Sequence, residues 1–142
     1  MQLKRYTDYA LRILVYLGAH PDEVVSVSRI AQAYGVSRNH LLKVMNGLAE
    51  QGLITTYRGK HGGLRLALPP ADINVAAVVA HMEGDSPLID CANPPCPILP
   101  VCQLNHALRE ARQAFIDHLS RYTVADLLHG KQQQLVRLLA GD

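Results

Sequence analysis

Three cysteines are the residues best suited to carry chemistry in this sequence: Cys91, Cys96 and Cys102, spaced C-x4-C-x5-C. Prolines across residues 85–100 predict an irregular loop that holds the three thiolates within reach of one centre. A structural zinc site usually has paired C-x2-C knuckles, and a ferredoxin-type site needs four cysteines. The pattern therefore favours an iron-sulfur cluster with one ligand other than cysteine. A replaceable ligand suits a sensor better than an electron carrier.

Disulfides are not expected, because a chain of 142 residues can bury a core without cross-links. The apolar residues of the N-terminal stretch recur at helical spacing, and Asp8 and Arg12 interrupt them, so a helix is expected there rather than a signal peptide. No window of the sequence is apolar for long enough to span a membrane. We therefore expect a cytoplasmic protein with no membrane partner, in a compartment where clustered cysteines indicate metal or redox chemistry.

The basic residues are concentrated ahead of the Pro69-Pro70 pair. Residues 1–70 contain nine lysines and arginines against four acids, a net charge of +5, whereas residues 71–142 contain five against eight, a net charge of −3. An N-terminal half this basic favours a polyanionic partner. The sequence has neither a nucleophile–base constellation nor a glycine-rich phosphate loop, so we do not expect an enzyme.

Cap and stop residues predict a helix-turn-helix at about residues 26–51. Ser26 is suited to cap a short helix that Gly35 ends, and Ser37 is suited to cap a longer helix that ends at Gly52. Two helices joined by a three-residue turn are typical of this DNA-binding motif.

A basic β-hairpin is predicted directly after the second helix. Residues 53–57 and 64–68 have the composition of strands, and they flank the basic, glycine-rich turn 58–63. A helix-turn-helix followed by such a hairpin is a winged helix, with the wing at residues 53–68. With a further helix at about 73–83, capped by Asp72, the predicted DNA-binding domain spans residues 1–84.

The second half of the chain is expected to bind the cluster and to form a dimer. The cluster-binding loop occupies residues 85–102, and a dimerisation helix region follows at 103–129. There the apolar residues step by threes and fours, near the spacing of a heptad seam: Leu104, Leu108, Ala111, Phe115, Leu119 and Tyr122. Residues 130–142 form a tail, which we expect to be a frayed helix. The predicted fold is mainly α with a small β-hairpin wing: a winged helix-turn-helix plus a long C-terminal dimerisation helix.

Nine polar side chains are candidates for contact with double-stranded operator DNA. Those at the start of the second helix would enter the major groove, where Arg38 could form hydrogen bonds with guanine and Asn39 with adenine. Those of the wing would contact the phosphate backbone or the minor groove. A homodimer would place two such helices on an inverted repeat. The candidates are Ser37, Arg38, Asn39, His40 and Lys43 on the helix, and Arg58, Lys60, His61 and Arg65 on the wing.

Together these motifs resemble the iron-sulfur winged-helix repressors, and most closely the members that sense nitric oxide. The resemblance extends to about Leu128 and rests on MQLKRYTDYALRILVYLG, SRIAQAYGVSRNHLLKVMNGLAEQGLI, YRGKHGGLRLA and the three-cysteine loop. It implies a repressor that binds its operator while the cluster is intact and releases it when nitric oxide attacks. It also implies a fourth ligand from the first helix of the other subunit, and Asp8 matches that position.

Two points stay open at this stage. From the residues alone, Asp8 is a solvated acid paired with Arg12 four residues on, and His106 is the alternative fourth ligand. Relatives that regulate cluster biosynthesis use a histidine soon after the third cysteine, closer than the four residues between Cys102 and His106. A redox-responsive regulator of cluster biosynthesis is therefore the alternative function. The cluster is either [2Fe-2S] or [4Fe-4S].

Overall fold

The computed structural model describes residues 1–141. It is mainly helical with one two-stranded antiparallel sheet, as predicted. Short 3₁₀ turns occur at Pro70–Asp72 and Leu99–Val101. The helices and strands, in chain order, are α1 (Arg5–Ala19), α2 (Val27–Tyr34), α3 (Arg38–Glu50), β1 (Ile54–Tyr57), β2 (Gly63–Leu66), α4 (Val75–Glu83), α5 (Gln103–Leu119), α6 (Val124–Leu128) and α7 (Gln132–Ala140).

The helix-turn-helix forms where the caps predicted it. The Ser26 hydroxyl accepts a hydrogen bond from the backbone amide of Arg29 at 3.2 Å, and Gly35 ends α2 with a φ of 63°. This left-handed conformation favours glycine. Ser37 occupies the N-cap position of α3, but its side chain accepts no capping hydrogen bond. The hydroxyl of Ser37 is therefore not engaged by its own helix.

The wing is the hairpin of β1 and β2, paired from Ile54–Leu66 to Tyr57–Gly63. Its second strand is joined to the loop before α2, because Val25 and Leu64 exchange two backbone hydrogen bonds of 2.9 and 2.8 Å. A side chain at Gly63 would collide with the Val25 backbone, so this close approach requires glycine. The wing is thus fixed to the helix-turn-helix.

The core is organised around α1, whose buried face contacts α3, α4 and α6. Thr7 is fully buried, and His20 is buried as well. The His20 ring stacks on Tyr16 at 4.4 Å between centroids, and its Nδ1 lies 2.8 Å from the Tyr16 carbonyl oxygen. The fully buried large side chains of the core include Ile13, Leu14, Leu17, Ile30, Leu41, Val44, Leu48 and Leu64.

The predicted cap of α4 was wrong by two residues. Asp72 belongs to the 3₁₀ turn that follows the two prolines, and Asn74 caps the helix instead, accepting from the Ala77 amide at 3.2 Å. The amide of Asn74 also donates to the Ser120 carbonyl at 2.8 Å. An aspartate has no N–H with which to make that second bond.

The C-terminal region divides into three helices rather than one long helix and a tail. The predicted dimerisation helix, α5, ends at Leu119, so Tyr122 lies beyond it. Thr123 and Asp126 start α6 with a capping box. The structure also differs from the frayed tail that the sequence predicted, because α7 packs on α1 and α2 through apolar side chains. Gln132 of α7 donates to the Ala19 carbonyl at 3.3 Å. In residues 1–141 no helix is both long and apolar enough to cross a membrane.

Candidate nucleic-acid interface and metal centre

The first turn of α3 presents a row of exposed polar side chains. Arg38, Asn39, His40 and Lys43 are all exposed, and so is Ser37 ahead of them. On the opposite side of the helix, Leu41, Val44 and Leu48 are buried in the core. The helix therefore turns its polar first turn away from the domain, as a helix that reads a DNA groove must.

Two tyrosines of α1 hold α3 in place, and the sequence did not reveal this. The Tyr6 hydroxyl donates to the Lys43 carbonyl at 3.3 Å and lies directly against Gly47, where a side chain would collide with it. The Tyr9 ring stacks on His40 with 6.3 Å between centroids. Both contacts join segments more than thirty residues apart, so spacing along the chain gives no signal of them.

All four predicted wing residues are exposed, and three of them lie near the tip of the hairpin. Arg58, Lys60 and His61 lie there, and Arg58 and Arg38 line opposite sides of a 430 Å³ groove between α3 and the wing. Arg65 differs, because its guanidinium donates to the Pro21 carbonyl at 3.1 Å. That bond holds Arg65 against the loop between α1 and α2, so part of its donor capacity serves the fold.

The cysteines lie on one irregular loop between α4 and α5, as the prolines predicted. All three are free and half-buried. The Cys96 amide donates to the Cys91 carbonyl at 3.0 Å, which closes the first part of the loop, and Cys102 is the N-cap of α5. Within residues 1–141, no three histidine, cysteine or acidic side chains converge as ligands of a single metal ion. A cluster has several iron atoms, so its ligands need not converge on one point.

Asn105, which the sequence analysis missed, joins two of the cysteines. Its backbone amide donates to the Cys102 sulfur at 3.4 Å, and its side-chain amide donates to the Cys91 sulfur at 3.5 Å. A usable signal was present: Asn105 is the third residue of a helix capped by a cysteine, and a side chain in that position points back toward the helix start.

The two candidates for a fourth ligand have different surroundings. Asp8 is 41% exposed on α1 and accepts a 2.7 Å hydrogen bond from Arg12, and this bond raises the pKa of the Arg12 guanidinium. Arg12 also lies over the ring of Tyr34, 5.5 Å from its centre. His106 is 65% exposed and lies 3.5 Å from Glu110 on the next turn of α5. The structure thus pairs Asp8 with Arg12 within one chain, and it pairs His106 with Glu110.

The start of the cysteine loop is tied to both α1 and α5. The Glu83 carboxylate accepts from the Lys4 amide at 2.8 Å and also from the buried Thr7 hydroxyl. One residue later, the Gly84 carbonyl accepts from Arg112 at 2.5 Å. These bonds connect the loop to the first turn of the helix that carries Asp8.

This arrangement defines a winged-helix protein with a cysteine-bearing loop at the start of a long exposed helix. A family model described as Rrf2, iron-dependent transcriptional regulator, matches residues 3–130. The chain therefore belongs to the Rrf2 family, whose members are DNA-binding transcriptional regulators.

Solved structures show the same fold. CymR of B. subtilis, described as its global cysteine regulator, is 23% identical with a TM-score of 0.67, over 89% of this chain and 95% of that one. IscR of T. potens is 23% identical with a TM-score of 0.70, over 90% and 86%. Oxidised CymR of Staphylococcus aureus is 24% identical with a TM-score of 0.71, over 91% and 97%. At these identities the likeness extends to the fold alone.

Proposed function

We propose that this Rrf2 regulator is a nitric-oxide-sensitive repressor of the NsrR type. It binds an inverted-repeat operator as a cytoplasmic homodimer while a [2Fe-2S] or [4Fe-4S] cluster is in place, and it releases the operator when nitric oxide attacks that cluster. Cys91, Cys96 and Cys102 hold the cluster, and Asp8 of the other subunit supplies the fourth ligand.

The observation that carries this proposal is the cysteine loop. Three half-buried free thiols share one irregular segment, and two of their sulfur atoms accept hydrogen bonds from Asn105. Three thiolates and one carboxylate form a donor set that suits iron, with the harder carboxylate as the weakest ligand. The residues therefore fit a cluster with one replaceable position.

When bound, the cluster supplies iron to which nitric oxide coordinates. The chain's own residues then explain how a signal at the loop could reach DNA. An Asp8 released from the other subunit's site is free to pair with Arg12, as it does here. Asp8 stands on α1 between Tyr6 and Tyr9, which contact Lys43 and His40 of α3. A small shift of α1 therefore moves α3, the helix proposed to read the major groove. Because the proposed dimer is two-fold symmetric, binding is then lost at both half-sites together.

Anaerobic purification tests the cofactor directly. We expect a coloured dimer that contains iron and sulfide and has a broad visible absorption band, which nitric oxide bleaches. A colourless protein that contains zinc and does not respond to nitric oxide would refute the proposal. A coloured protein that ignores nitric oxide but follows cluster supply would favour an IscR-like regulator of cluster biosynthesis.

The fourth ligand is tested by paired substitutions. We expect Asp8→Ala to yield a cluster that forms but is lost faster and responds differently to nitric oxide, and His106→Ala to behave like the parent protein. Arg12→Gln is the matched control, because it removes the same ion pair and keeps Asp8. Cluster absorbance followed over time after exposure to air measures the difference. Loss of the cluster in His106→Ala, with Asp8→Ala unaffected, would reverse the assignment.

Base reading and backbone binding are separated by Arg38→Ala and Lys60→Ala. We expect Arg38→Ala to cost about 1 to 3 kcal/mol and to relax specificity at one symmetric base pair. Lys60→Ala should weaken binding to all sequences alike and reduce the salt slope by about one. Titrations against operator variants at several salt concentrations measure both, and Arg121→Ala controls for loss of charge. An unchanged affinity and footprint for Arg38→Ala would show that another residue reads the base.

A further inference from the structure

The first turn of α5 brings a neutral amide against the cysteines. Asn105 is the third residue of α5, and Cys102 is the N-cap of that helix, with its sulfur accepting a hydrogen bond from the Asn105 backbone amide at 3.4 Å. The Asn105 side chain reaches back to the Cys91 sulfur at 3.5 Å. The geometry resembles a capping box in which a cysteine replaces serine and the side chain bonds to a second cysteine. One residue thus bridges the first and the last cysteine of the loop.

From this geometry we infer that Asn105 is a positioning residue for the cluster. It holds the Cys91 and Cys102 sulfur atoms at a set spacing and donates an N–H···S hydrogen bond to each of them. The inference rests on the proposed function, since it assigns a role around the same cluster. It assigns to Asn105, which is not itself a ligand, an effect on the reduction potential and the lifetime of the cluster.

An amide is chemically suited to this role. A hydrogen bond to a thiolate withdraws electron density from the sulfur, which stabilises the reduced cluster and raises its reduction potential. Asn105 is half-buried, so water competes less for the Cys91 sulfur than at an exposed position. The amide has no charge to gain or lose, so the donor is present at every physiological pH.

The first residue of α5 does not share this role. Gln103 is exposed and lies in the same helical turn as Asn105. Within residues 1–141 the two N–H···S bonds of this turn both come from Asn105, so a substitution of Gln103 changes the turn and leaves them in place. This makes Gln103→Leu a matched control for Asn105→Leu.

The experiment uses the full-length, cluster-loaded dimer, purified without oxygen. Asn105→Leu keeps the size of the side chain and removes the side-chain donor to Cys91, while the backbone amide still donates to Cys102. We expect its cluster to have a more negative midpoint potential and to be lost to a chelator about tenfold faster than in the parent protein. Asn105→Gln keeps an amide on a longer side chain and should lie between the two. Thermal unfolding of the cluster-free proteins should be the same for all variants, because Asn105 is outside the core.

The outcomes separate this inference from the proposed function. A parent protein without a cluster would refute the function itself. A loaded Asn105→Leu protein with the parent's potential and lifetime would refute only the role of Asn105, and so would an equal loss in Gln103→Leu. An Asn105→Leu protein that folds normally but loads no cluster, beside a fully loaded Gln103→Leu, would support the role.

Discussion

Replacing any one of Cys91, Cys96 or Cys102 by serine is expected to give a folded protein that holds no cluster and no longer represses. Each cysteine is half-buried and outside the core, so the free energy of unfolding should change by only about 0.5 kcal/mol. Serine offers no thiolate, which leaves too few ligands to hold the cluster. Operator affinity should then fall toward the non-specific level, roughly a thousandfold or more. Iron content and operator titrations measure the two effects.

Ser86→Ala is the control for these cysteine variants, because it changes the same loop without removing a thiol. It should keep both the cluster and the affinity of the parent protein. A cysteine variant that binds the operator as tightly as the parent, with α3 intact, would show that the loop does not control DNA binding. A variant that keeps a full cluster would remove that cysteine from the ligand set.

The second large effect is expected from a charged pair of substitutions on α5, Leu104→Glu with Ala111→Glu. No residue of α5 is buried within the chain, and Leu104 is 59% exposed. These changes therefore leave the folded monomer intact but place carboxylates in the apolar stripe of the proposed dimer interface. We expect a monomer of 15.6 kDa in sedimentation and a loss of operator affinity of about a thousandfold, since one recognition helix reads only one half-site.

Gln113→Glu adds charge to the polar side of the same helix, where Gln113 bonds to Asp117. It should leave the dimer and the affinity nearly unchanged. If the double variant remains a dimer, the interface lies elsewhere on the molecule. If it becomes a monomer and still binds the operator as tightly as the parent, the requirement for a dimer is wrong.

Local signals in the sequence were sufficient for the helix-turn-helix and the wing. Ser26 and Gly35 determine the ends of α2 through their own backbone and side-chain preferences, so neighbouring residues alone reveal them. The prolines likewise predicted the irregular cysteine loop. The α4 cap was misplaced because Asn74 also bonds to Ser120, a distant partner that no local rule includes.

Contacts between distant segments could not be predicted in this way. The donation from Arg65 to Pro21, the bond from Tyr6 to Lys43 and the packing of α7 on α1 all depend on the assembled fold. Asn105 was predictable only in part. Its position in the first turn of a helix capped by a cysteine follows from the local sequence, whereas its bond to Cys91 does not. A ligand supplied by a second subunit is a further step, since it depends on how two chains meet.

The most direct test of cluster-controlled repression is a titration of the loaded dimer, bound to its operator, with nitric oxide under anaerobic conditions. Visible absorbance and the anisotropy of labelled operator DNA are followed in the same sample. We expect the cluster band and the bound fraction to fall together, while a cluster-free sample binds only weakly from the start. Operator binding that persists after the cluster band has disappeared, or that is equally tight without a cluster, would contradict the account.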